Sequence, residues 1–541
     1  MDGWLETFRP LYGELATGEL AAEQKRFVGT AVAASPDEAA EQYRGTIGGR
    51  ARHALGEYFT PAWLADRVLD RLDYDGAAPL LDPSAGLGVF VERAAARGGE
   101  AVGYEINPVT AARARVMGLP VETRDTLCDP GARRFRFIAG NPPWVNWRHI
   151  NPLYRERIAP LWERYDLLPE GRMGGAMDDL SMLFTFLCAD RLLAPGGRMA
   201  LLLPRTLFQS AGGGRKFRRF ELPEARYLRV LSVEEISGAS VFKGATAKPV
   251  VALFEAGAER TSFPVPYWRD GKRLEARPVS TAEPCSAWIV TRPGDRRLDD
   301  VRGRSDYTAR VGAHSGGASG VYWIDVLENR GRTSLVRNRA DSGRNSWPQI
   351  TAEIESDLVY SLLRGRDVSR GCAVPSHGIV LPHTPDGRPI PQDVMVERFP
   401  RAFAYFEHFR DEMLARPHYR QHFRKRGWPY WSMYNVGAYT FAQHRVVWRE
   451  QSSRLEAAAI HDPRVIADAK LTVVPCESAE EARYLAAMLN SPLVSEFVES
   501  YAVSTQISTH VLRNVHIPRF DPNDPAHREL ASEADMNVRA N

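Results

Sequence analysis

Short apolar runs alternate with amphipathic stretches between about residues 51 and 258, and this pattern restricts the possible folds most. The apolar runs read APLLDPSAG, EAVGYEIN, FRFIAGNPP, GRMALLLP and KPVVALFEA, and helix-like segments separate them. Strands that alternate with helical segments are typical of an α/β domain built on a mostly parallel sheet. The sequence therefore predicts a Rossmann-like, doubly wound α/β sheet in this part of the chain.

The composition of the 541-residue chain indicates the class of protein. A hydrophobic fraction of 44% and a charged fraction of 25% predict a soluble protein with more than one globular domain. No apolar run approaches the roughly 20 residues of a membrane span and the N-terminus lacks a signal-peptide pattern, so we expect a cytoplasmic protein without a membrane partner. The five cysteines form no CxxC pair and have no nearby His at zinc-ligand spacing, which predicts reduced thiols and no metal. Because the net charge is only +3, any DNA-binding signal has to be local.

The sequence pattern divides the chain into four parts. Residues 1–50 are predicted to be a helical lead-in, and residues 51–258 form the α/β domain. From 259 to 520 the periodicity weakens and Pro and Gly interrupt the chain, which predicts a second domain of mixed, largely helical structure. Residues 521–541 have the composition of a polar tail.

The segment LLDPSAGLGVF resembles a cofactor-binding turn. It places Asp82 at the end of an apolar strand and follows it with Gly86 and Gly88, which allow a ligand to approach the backbone closely. About twenty residues later Glu105 ends the next strand, where its carboxylate could accept hydrogen bonds from ribose hydroxyls. Asp125 follows the third candidate strand and could lie near an adenine amino group.

Two other interpretations of this segment are open. Asp82 and Asp125 could be helix N-caps, with the glycines only turning the chain. A nicotinamide-binding domain is the second alternative, but the turn reads DPSAGLG rather than GxGxxG, which disfavours a pyrophosphate site. The second acid at Glu105 favours a cofactor site over a simple turn.

The stretch FRFIAGNPPWVNW predicts the catalytic residues. An apolar strand ends and Asn141, Pro142, Pro143 and Trp144 follow directly. The N6 nitrogen of adenine is a poor nucleophile, and acceptors for its two hydrogens would leave its lone pair freer to attack. The side-chain oxygen of Asn141 and the carbonyl of Pro142 could be those acceptors, in a loop that the prolines stiffen. Trp144 could stack on a base rotated out of the duplex, although a Pro-rich turn packed by a Trp is the structural alternative.

These motifs resemble those of the gamma-class N6-adenine DNA methyltransferases of restriction-modification and phage-defence systems. The resemblance covers residues 55 to 258 closely and implies a methyltransferase sheet, S-adenosylmethionine as cofactor and double-stranded DNA as substrate. The segment GEYFTP is similar to the leading cofactor motif, and a late segment around Phe242 is similar to the motif whose aromatic residue contacts the flipped base; a core Phe is the alternative. The cofactor residues implied by the turn and by the resemblance are Tyr58, Phe59, Thr60, Asp82, Ser84, Ala85, Gly86, Gly88, Glu105 and Asp125.

By the same resemblance, residues 259 to 520 would be the target-recognition domain. Between residues 401 and 430 the sequence contains seven Arg or Lys residues and only three acidic residues, with aromatic residues interspersed among them. This composition suits contacts with DNA phosphates. Arg424, Lys425 and Arg426 are the predicted contacts there, and Arg364 and Arg366 belong to an RGRD stretch similar to those of the family's specificity domains. A solvated helix over an aromatic core is the alternative for any one of these residues.

Several rival functions share parts of this pattern. The same fold could methylate cytosine N4, an RNA adenine or a protein glutamine, and a catalytically idle DNA-binding subunit of a defence complex would share its layout. Intact Asp82, Glu105, Asn141 and Trp144 disfavour an idle subunit, and the large second domain disfavours a protein substrate. We find no nuclease motif of the D…ExK type, so restriction, if the system has it, would require a separate protein.

Overall fold

The computed structural model describes residues 19–49, 56–168, 179–210, 213–237, 242, 248–343, 345–452, 454–501 and 507–539. The chain forms two compact units, Met1–Asp295 and Arg296–Asn541. None of the helices in these described ranges is long and apolar enough to span a membrane.

One sheet organises the first unit. Its strands are β1 (Leu80–Asp82), β2 (Ala101–Glu105), β3 (Val121–Thr123), β4 (Phe135–Gly140), β5 (Leu193–Pro204), β6 (Glu221–Leu222), β7 (Arg226–Glu235), β8 (Pro249–Gly257), β9 (Val265–Arg269), β10 (Lys272–Pro278) and β11 (Trp288–Thr291). The strand order is β11-β10-β9-β7-β8-β5-β4-β1-β2-β3, with β6 paired to β7. Strands β1 to β5 run parallel, whereas β8 is antiparallel to β5. The chain direction across the sheet reverses at β1, where β2 and β4 lie on opposite sides, and open α/β sheets bind ligands at such a point.

Helices cover both faces of this sheet. They are α1 (Glu19–Val28), α2 (Pro36–Thr46), α3 (Ala62–Arg71), α4 (Val89–Ala96), α5 (Pro108–Val116), α6 (Pro152–Arg164), α7 (Leu180–Leu187) and α8 (Thr206–Gln209). Successive residues of β1 show why two layers are needed, since Leu80 packs into one apolar cluster and Leu81 into another. Both faces of a parallel sheet are buried, as its near-continuous apolar strands predict.

The N-terminal segment is part of the first unit. In α1 and α2, Phe27 and Tyr43 are fully buried and pack with Leu87 and Val109 near the cofactor turn. The Arg113 guanidinium donates to the carbonyl of Phe27 at 2.5 Å and fixes the C-terminal end of α1 to α5. The described part of the predicted lead-in is therefore helical, and the first 18 residues of that prediction lie outside the described residues.

The predicted boundary at 258/259 is placed too early. Strand β9 pairs with β7, and β10 and β11 extend the same sheet, so the compact unit continues to Asp295. Val265, Tyr267 and Trp288 are fully buried in the same core as the central strands. This burial explains why the segment belongs to the first unit.

The second unit was predicted to be mixed and largely helical. It is mixed, but its described residues also form three sheets that were not predicted. Their orders are β15-β14-β13-β19-β16-β22, β12-β23-β20-β21 and β17-β18. The strands are β12 (Arg310–Val311), β13 (Trp323–Asn329), β14 (Thr333–Asn338), β15 (Thr351–Glu355), β16 (Val359–Leu363), β17 (Val368–Ser369), β18 (Cys372–Ala373), β19 (His377–Val380), β20 (His444–Arg449), β21 (Ala457–Ile460), β22 (Val465–Ala467) and β23 (Leu471–Cys476). The α-helices are α9 (Ser319–Tyr322), α10 (Gln392–Arg398), α11 (Pro400–Glu407), α12 (Arg410–Ala415), α13 (Ala479–Leu489), α14 (Pro492–Tyr501), α15 (Val511–Asn514) and α16 (Pro525–Arg539).

The predicted polar tail at 521–541 is helical over most of its length. Helix α16 packs against α13, and Ala531 is buried. The ring of His527 lies 4.5 Å from that of Tyr484, measured between centroids. The prediction relied on the low average hydrophobicity of the segment, which does not reveal the few positions that make these contacts.

Candidate active site

The carboxyl ends of β1, β2 and β4 surround two adjoining pockets. The larger has about 940 Å³ of empty space, part of it open to solvent. Both pockets are lined by Tyr58, Phe59, Ser84, Gly86 and Asn141. A continuous site therefore runs from the turn after β1 to the loop after β4.

Most of the predicted cofactor residues line these pockets. The larger pocket adds Glu105 and Asp125, and the smaller adds Thr60, Asp82 and Ala85. Gly88 lines neither: it is the N-cap of α4 at φ +87°, and an added Cβ would lie 2.8 Å from Leu119. Gly88 thus serves the turn and its packing, whereas Gly86 faces the pocket.

Glu105 is held by the backbone at the tip of β2. Its two carboxylate oxygens accept one N–H each, from Gly86 and from Asn107, both at 2.7 Å. Burial raises the pKa of Glu105 to about 7. The nearby carboxylate of Glu57 also raises this pKa, whereas the two backbone hydrogen bonds lower it. Each oxygen keeps capacity for a further donor, so the carboxylate can accept ribose hydroxyls without moving.

Asp82 is 1% exposed at the end of β1. Its Oδ1 accepts the backbone N–H of Ser84 at 3.1 Å, which shapes the turn. Asp82 is not the N-cap of the following helix, because Gly88 occupies that position. Burial raises the pKa of Asp82 from its ordinary 3.8 to about 8, with a smaller contribution from the Glu105 carboxylate. The unliganded protein therefore holds a proton on Asp82 at neutral pH.

This proton predicts a dependence of stability on pH. The unfolded chain loses the Asp82 proton near pH 3.8, whereas the folded chain keeps it up to about pH 8. Between these values the unfolded state binds fewer protons, so the residue lowers the free energy of unfolding as pH rises. In Asp82→Asn this penalty is absent, so the melting temperature of the variant should exceed that of the wild type by an amount that grows from about pH 5 to pH 8. Each kcal/mol of unfolding free energy corresponds to roughly 2–4 °C in melting temperature.

Differential scanning fluorimetry of the unliganded proteins measures this difference. Asn146→Ala, which removes a cap of a 3₁₀ turn but no titratable group, is the control and should show a difference that is constant with pH. A gap between Asp82→Asn and wild type that is equally constant would contradict the assigned protonation.

Asp125 lies near the start of the loop between β3 and β4 and lines the larger pocket. Its Oδ1 accepts the hydroxyl of Tyr154 at 3.0 Å and the backbone N–H groups of Leu127 and Cys128 at 3.1 and 3.2 Å. The sequence analysis placed this carboxylate near an adenine amino group, and its position on the pocket wall is compatible with that prediction. It did not identify Tyr154.

Asn141 lies where the two pockets meet. Its Nδ2 donates to the carbonyl of Tyr58 at 3.0 Å, which fixes the orientation of the amide. Within the described residues its Oδ1 is buried and has no hydrogen-bond partner. A buried acceptor without a donor is costly, so this oxygen is suited to an N–H group of a ligand.

Trp144 and Phe242, the predicted stacking residues, contact each other directly. Their ring centroids are 5.4 Å apart with planes at 82°, and Phe242 also meets Tyr58 edge-on. The indole N–H of Trp144 donates to the carbonyl of Leu202 at 3.3 Å. The rings would have to separate to admit a base, and neither they nor Pro142 line the two pockets. Their stacking role stays a prediction.

The sequence analysis also missed a polar link between α2 and the cofactor residues. Glu57 accepts the hydroxyl of Tyr43 at 2.7 Å and the side-chain N–H of Asn107 at 3.1 Å. Asn107 in turn donates its backbone N–H to Glu105. The acid in GEYFTP was a visible signal, but its partners come from distant parts of the sequence.

The predicted DNA contacts of the second unit differ in exposure. Arg364 is only 12% exposed, lies over the ring of Trp323 and donates to Ser376 at 3.2 Å, so its guanidinium is held within the unit. Arg366 is 65% exposed and contacts His377 at 3.2 Å. Arg364 is therefore a structural residue here, and Arg366 is the accessible member of the pair.

Arg424, Lys425 and Arg426 form one exposed 3₁₀ turn. Arg426 lies over the ring of Trp428 at 5.4 Å, and this ring stacks on buried Phe423. Among the described residues, no acid forms an ion pair with these three cations. Other aromatic residues of the 401–430 region pack in the core of the unit, as expected for the alternative of a solvated helix over an aromatic core. Buried examples are Tyr405, Phe406 and Phe409.

No family model matches the chain. Among curated proteins, it is 22% identical over 208 residues to the type II methyltransferase M.HincII of Haemophilus influenzae, a match that covers 38% of each chain. The type II methyltransferase M.HindII of the same species gives 22% identity over 208 residues, or 38% of this chain and 36% of that protein. The chain thus matches well under half the length of these relatives.

Among solved structures, the type IIL restriction-modification enzyme MmeI, determined in complex with DNA, has a similar fold. The TM-score is 0.58 at 12% identity, over 94% of this chain and 74% of the other. The fold class predicted from the sequence is confirmed, with the strand order of the first unit as its clearest feature.

Proposed function

We propose that the protein is a DNA methyltransferase that transfers a methyl group from S-adenosylmethionine to N6 of adenine in double-stranded DNA. The observation that carries this proposal is the Oδ1 of Asn141, a buried acceptor without a partner in the described residues, at the junction of the two pockets. It provides what an exocyclic amino group needs, since such a group presents N–H donors. The similarity to two type II methyltransferases supports methyl transfer as the reaction.

The residues of the two pockets suit the cofactor. Glu105 can accept ribose hydroxyls, and Ser84 Oγ is a second buried polar atom without a hydrogen-bond partner in the described residues. Gly86 has φ +54°, and a Cβ there would lie 3.2 Å from the ring of Phe59, in space that a ligand requires. When bound, S-adenosylmethionine would supply an electrophilic methyl group on its sulfonium.

The chain's own residues would orient the acceptor nitrogen. Oδ1 of Asn141 and the carbonyl of Pro142 would accept the two amino hydrogens, which draws the nitrogen lone pair out of conjugation with the ring. The Tyr58 carbonyl holds the amide of Asn141 so that its oxygen, not its nitrogen, is presented. Preorganisation of this kind lowers the barrier without a side-chain base, and the amino proton leaves to solvent after transfer.

Trp144 would stack on the flipped base, with Phe242 against its other side. Because these rings now touch edge-on, base entry would displace Phe242, which lies outside the regular strands. Stacking on an aromatic ring contributes about 1–3 kcal/mol per base, enough to offset part of the cost of extruding it.

The second unit would hold the DNA, chiefly through Arg424, Lys425 and Arg426. Each phosphate contact releases counterions, so affinity falls as salt rises. Replacing all three with Gln should reduce the slope of log affinity against log salt by up to about 3, while sequence preference survives because phosphate contacts do not recognise bases. Fluorescence anisotropy with a labelled duplex over a salt series measures the slope.

A matched control removes three cations that acids already pair. These are Arg297, Arg330 and Arg388, which contact Glu496, Glu328 and Asp386. Their triple Gln variant should keep the wild-type salt slope. If the variant at 424–426 keeps the wild-type slope, these three residues do not contact phosphates, and Arg366 becomes the next candidate contact.

The proposal includes a cytoplasmic location and, where restriction occurs, a separate restriction or defence protein. Its nearest alternatives keep the fold but change the acceptor to cytosine N4, an RNA adenine or a protein glutamine, or retain DNA binding without catalysis. Incubation with tritium-labelled S-adenosylmethionine and unmethylated duplex DNA, RNA or cell protein separates the classes of acceptor, and identification of the labelled nucleoside separates adenine N6 from cytosine N4. Label in N6-methyldeoxyadenosine of duplex DNA supports the proposal, and label in N4-methyldeoxycytidine, in RNA or in protein alone, or no label, would overturn it.

A further inference from the structure

One oxygen of the Asp125 carboxylate is fully engaged by the protein. Three donors converge on Oδ1: the Tyr154 hydroxyl at 3.0 Å and the N–H groups of Leu127 and Cys128 at 3.1 and 3.2 Å. Three donors exceed the two lone pairs of a carbonyl-type oxygen, so Oδ1 has no capacity for a ligand. Oδ2 accepts none of these three bonds. The thiol of Cys128 also hydrogen-bonds to the carboxylate, and Asp125 lines the pocket.

Tyr154 is the side-chain member of this arrangement. It is 5% exposed, and burial raises its pKa well above its ordinary value, with Asp125 adding to the rise. The hydroxyl therefore keeps its proton and can only donate to a carboxylate. It comes from the first turn of α6, the helix that follows the loop containing Asn141.

The wall of the pocket is partly apolar. Ile106, Ile150 and Phe184 line it together with Tyr154 and Asp125, and the polar residues Arg124, Thr126 and Asn151 line the same pocket. A flat ring that enters beside Asp125 would meet a carboxylate oxygen, which can only accept a hydrogen bond. A ring with an amino group would satisfy that oxygen, whereas a ring with a carbonyl at the same place would repel it.

We propose that Tyr154 is a specificity-determining positioning residue, which fixes the Asp125 carboxylate so that the site selects an aminopurine nucleoside over its deaminated counterpart. This inference rests on the proposed function and adds a residue and a basis for selectivity to its cofactor site. Without the hydroxyl, the carboxylate keeps the N–H groups of Leu127 and Cys128 as donors to Oδ1 but loses its hydrogen bond to α6, so its orientation is fixed less firmly. Selectivity should then fall more than stability.

Isothermal titration calorimetry with two probes tests the assignment. S-adenosylhomocysteine carries the amino group, and S-inosylhomocysteine carries a carbonyl in its place. In wild type we expect the first to bind at least about 10-fold more tightly, and in Tyr154→Phe the ratio should shrink by roughly 3- to 10-fold, the equivalent of one hydrogen bond. Tyr165→Phe is the control, because that buried tyrosine on the same helix donates to Asp190 instead and should leave the ratio unchanged.

The outcomes separate this inference from the proposed function. If wild type binds neither probe, the proposed cofactor and the inference fail together. If wild type discriminates and Tyr154→Phe discriminates equally, only the inference fails. Melting temperatures show whether each variant folds. If Tyr154→Phe is unfolded, Tyr154→Met replaces it, because methionine also lacks the hydroxyl donor. A ratio of probe affinities in Tyr154→Met equal to that of the wild type would also overturn the assignment.

Discussion

Replacing Asn141 with Ala should lower the rate of methyl transfer by at least about 100-fold to 1,000-fold, the usual cost of losing a preorganised polar group that acts in the transition state. The affinity for cofactor should change little, because the ribose acceptor lies on Glu105 at the tip of another strand. Single-turnover rates with labelled cofactor measure the first effect and calorimetry measures the second.

Asn146→Ala is the matched control for this variant. Asn146 lies in the same loop, where its Oδ1 caps a short 3₁₀ turn by accepting the N–H of Arg148 at 3.1 Å. We expect it to cost far less activity than Asn141→Ala. Near-normal transfer by Asn141→Ala would remove that residue from catalysis.

Replacing Glu105 with Ala should weaken cofactor binding by about 1–3 kcal/mol, or roughly 5- to 150-fold. The variant loses the predicted ribose acceptor and also leaves the N–H groups of Gly86 and Asn107 without their acceptor. Titration of wild type and variant with S-adenosylhomocysteine measures the loss.

Glu122→Ala provides the comparison for Glu105. Glu122 lies on the neighbouring strand β3, is 50% exposed and pairs with Arg124. Its removal should leave the dissociation constant unchanged. An unchanged constant in Glu105→Ala would exclude that carboxylate from the site.

The strand-tip residues could be predicted because each depends on a local signal. An apolar run that ends at Asp82, Glu105 or Asn141 places that residue at one edge of a parallel sheet, whatever the rest of the chain does. The small residues after Asp82 add a second local signal. For this reason the central sheet and most of the pocket follow from the sequence.

Features that depend on distant pairing could not be predicted. Strand β9 joins the sheet through its partner β7, and no local pattern around Val265 records that pairing. The hydrogen bond between Tyr154 and Asp125 likewise connects separate elements. The exposure of a charged side chain could not be predicted either. Arg364 differs from an exposed cation only through its contacts with Ser376 and the ring of Trp323, which the sequence does not reveal.

The identity of the methylated nucleoside tests the central claim most directly. Unmethylated genomic DNA is incubated with the protein and labelled S-adenosylmethionine, digested to nucleosides and separated by liquid chromatography with mass detection. The account predicts label in N6-methyldeoxyadenosine, and its loss with Asn141→Ala. Label in N4-methyldeoxycytidine, or no transfer by a folded wild-type protein that binds the cofactor, would contradict it.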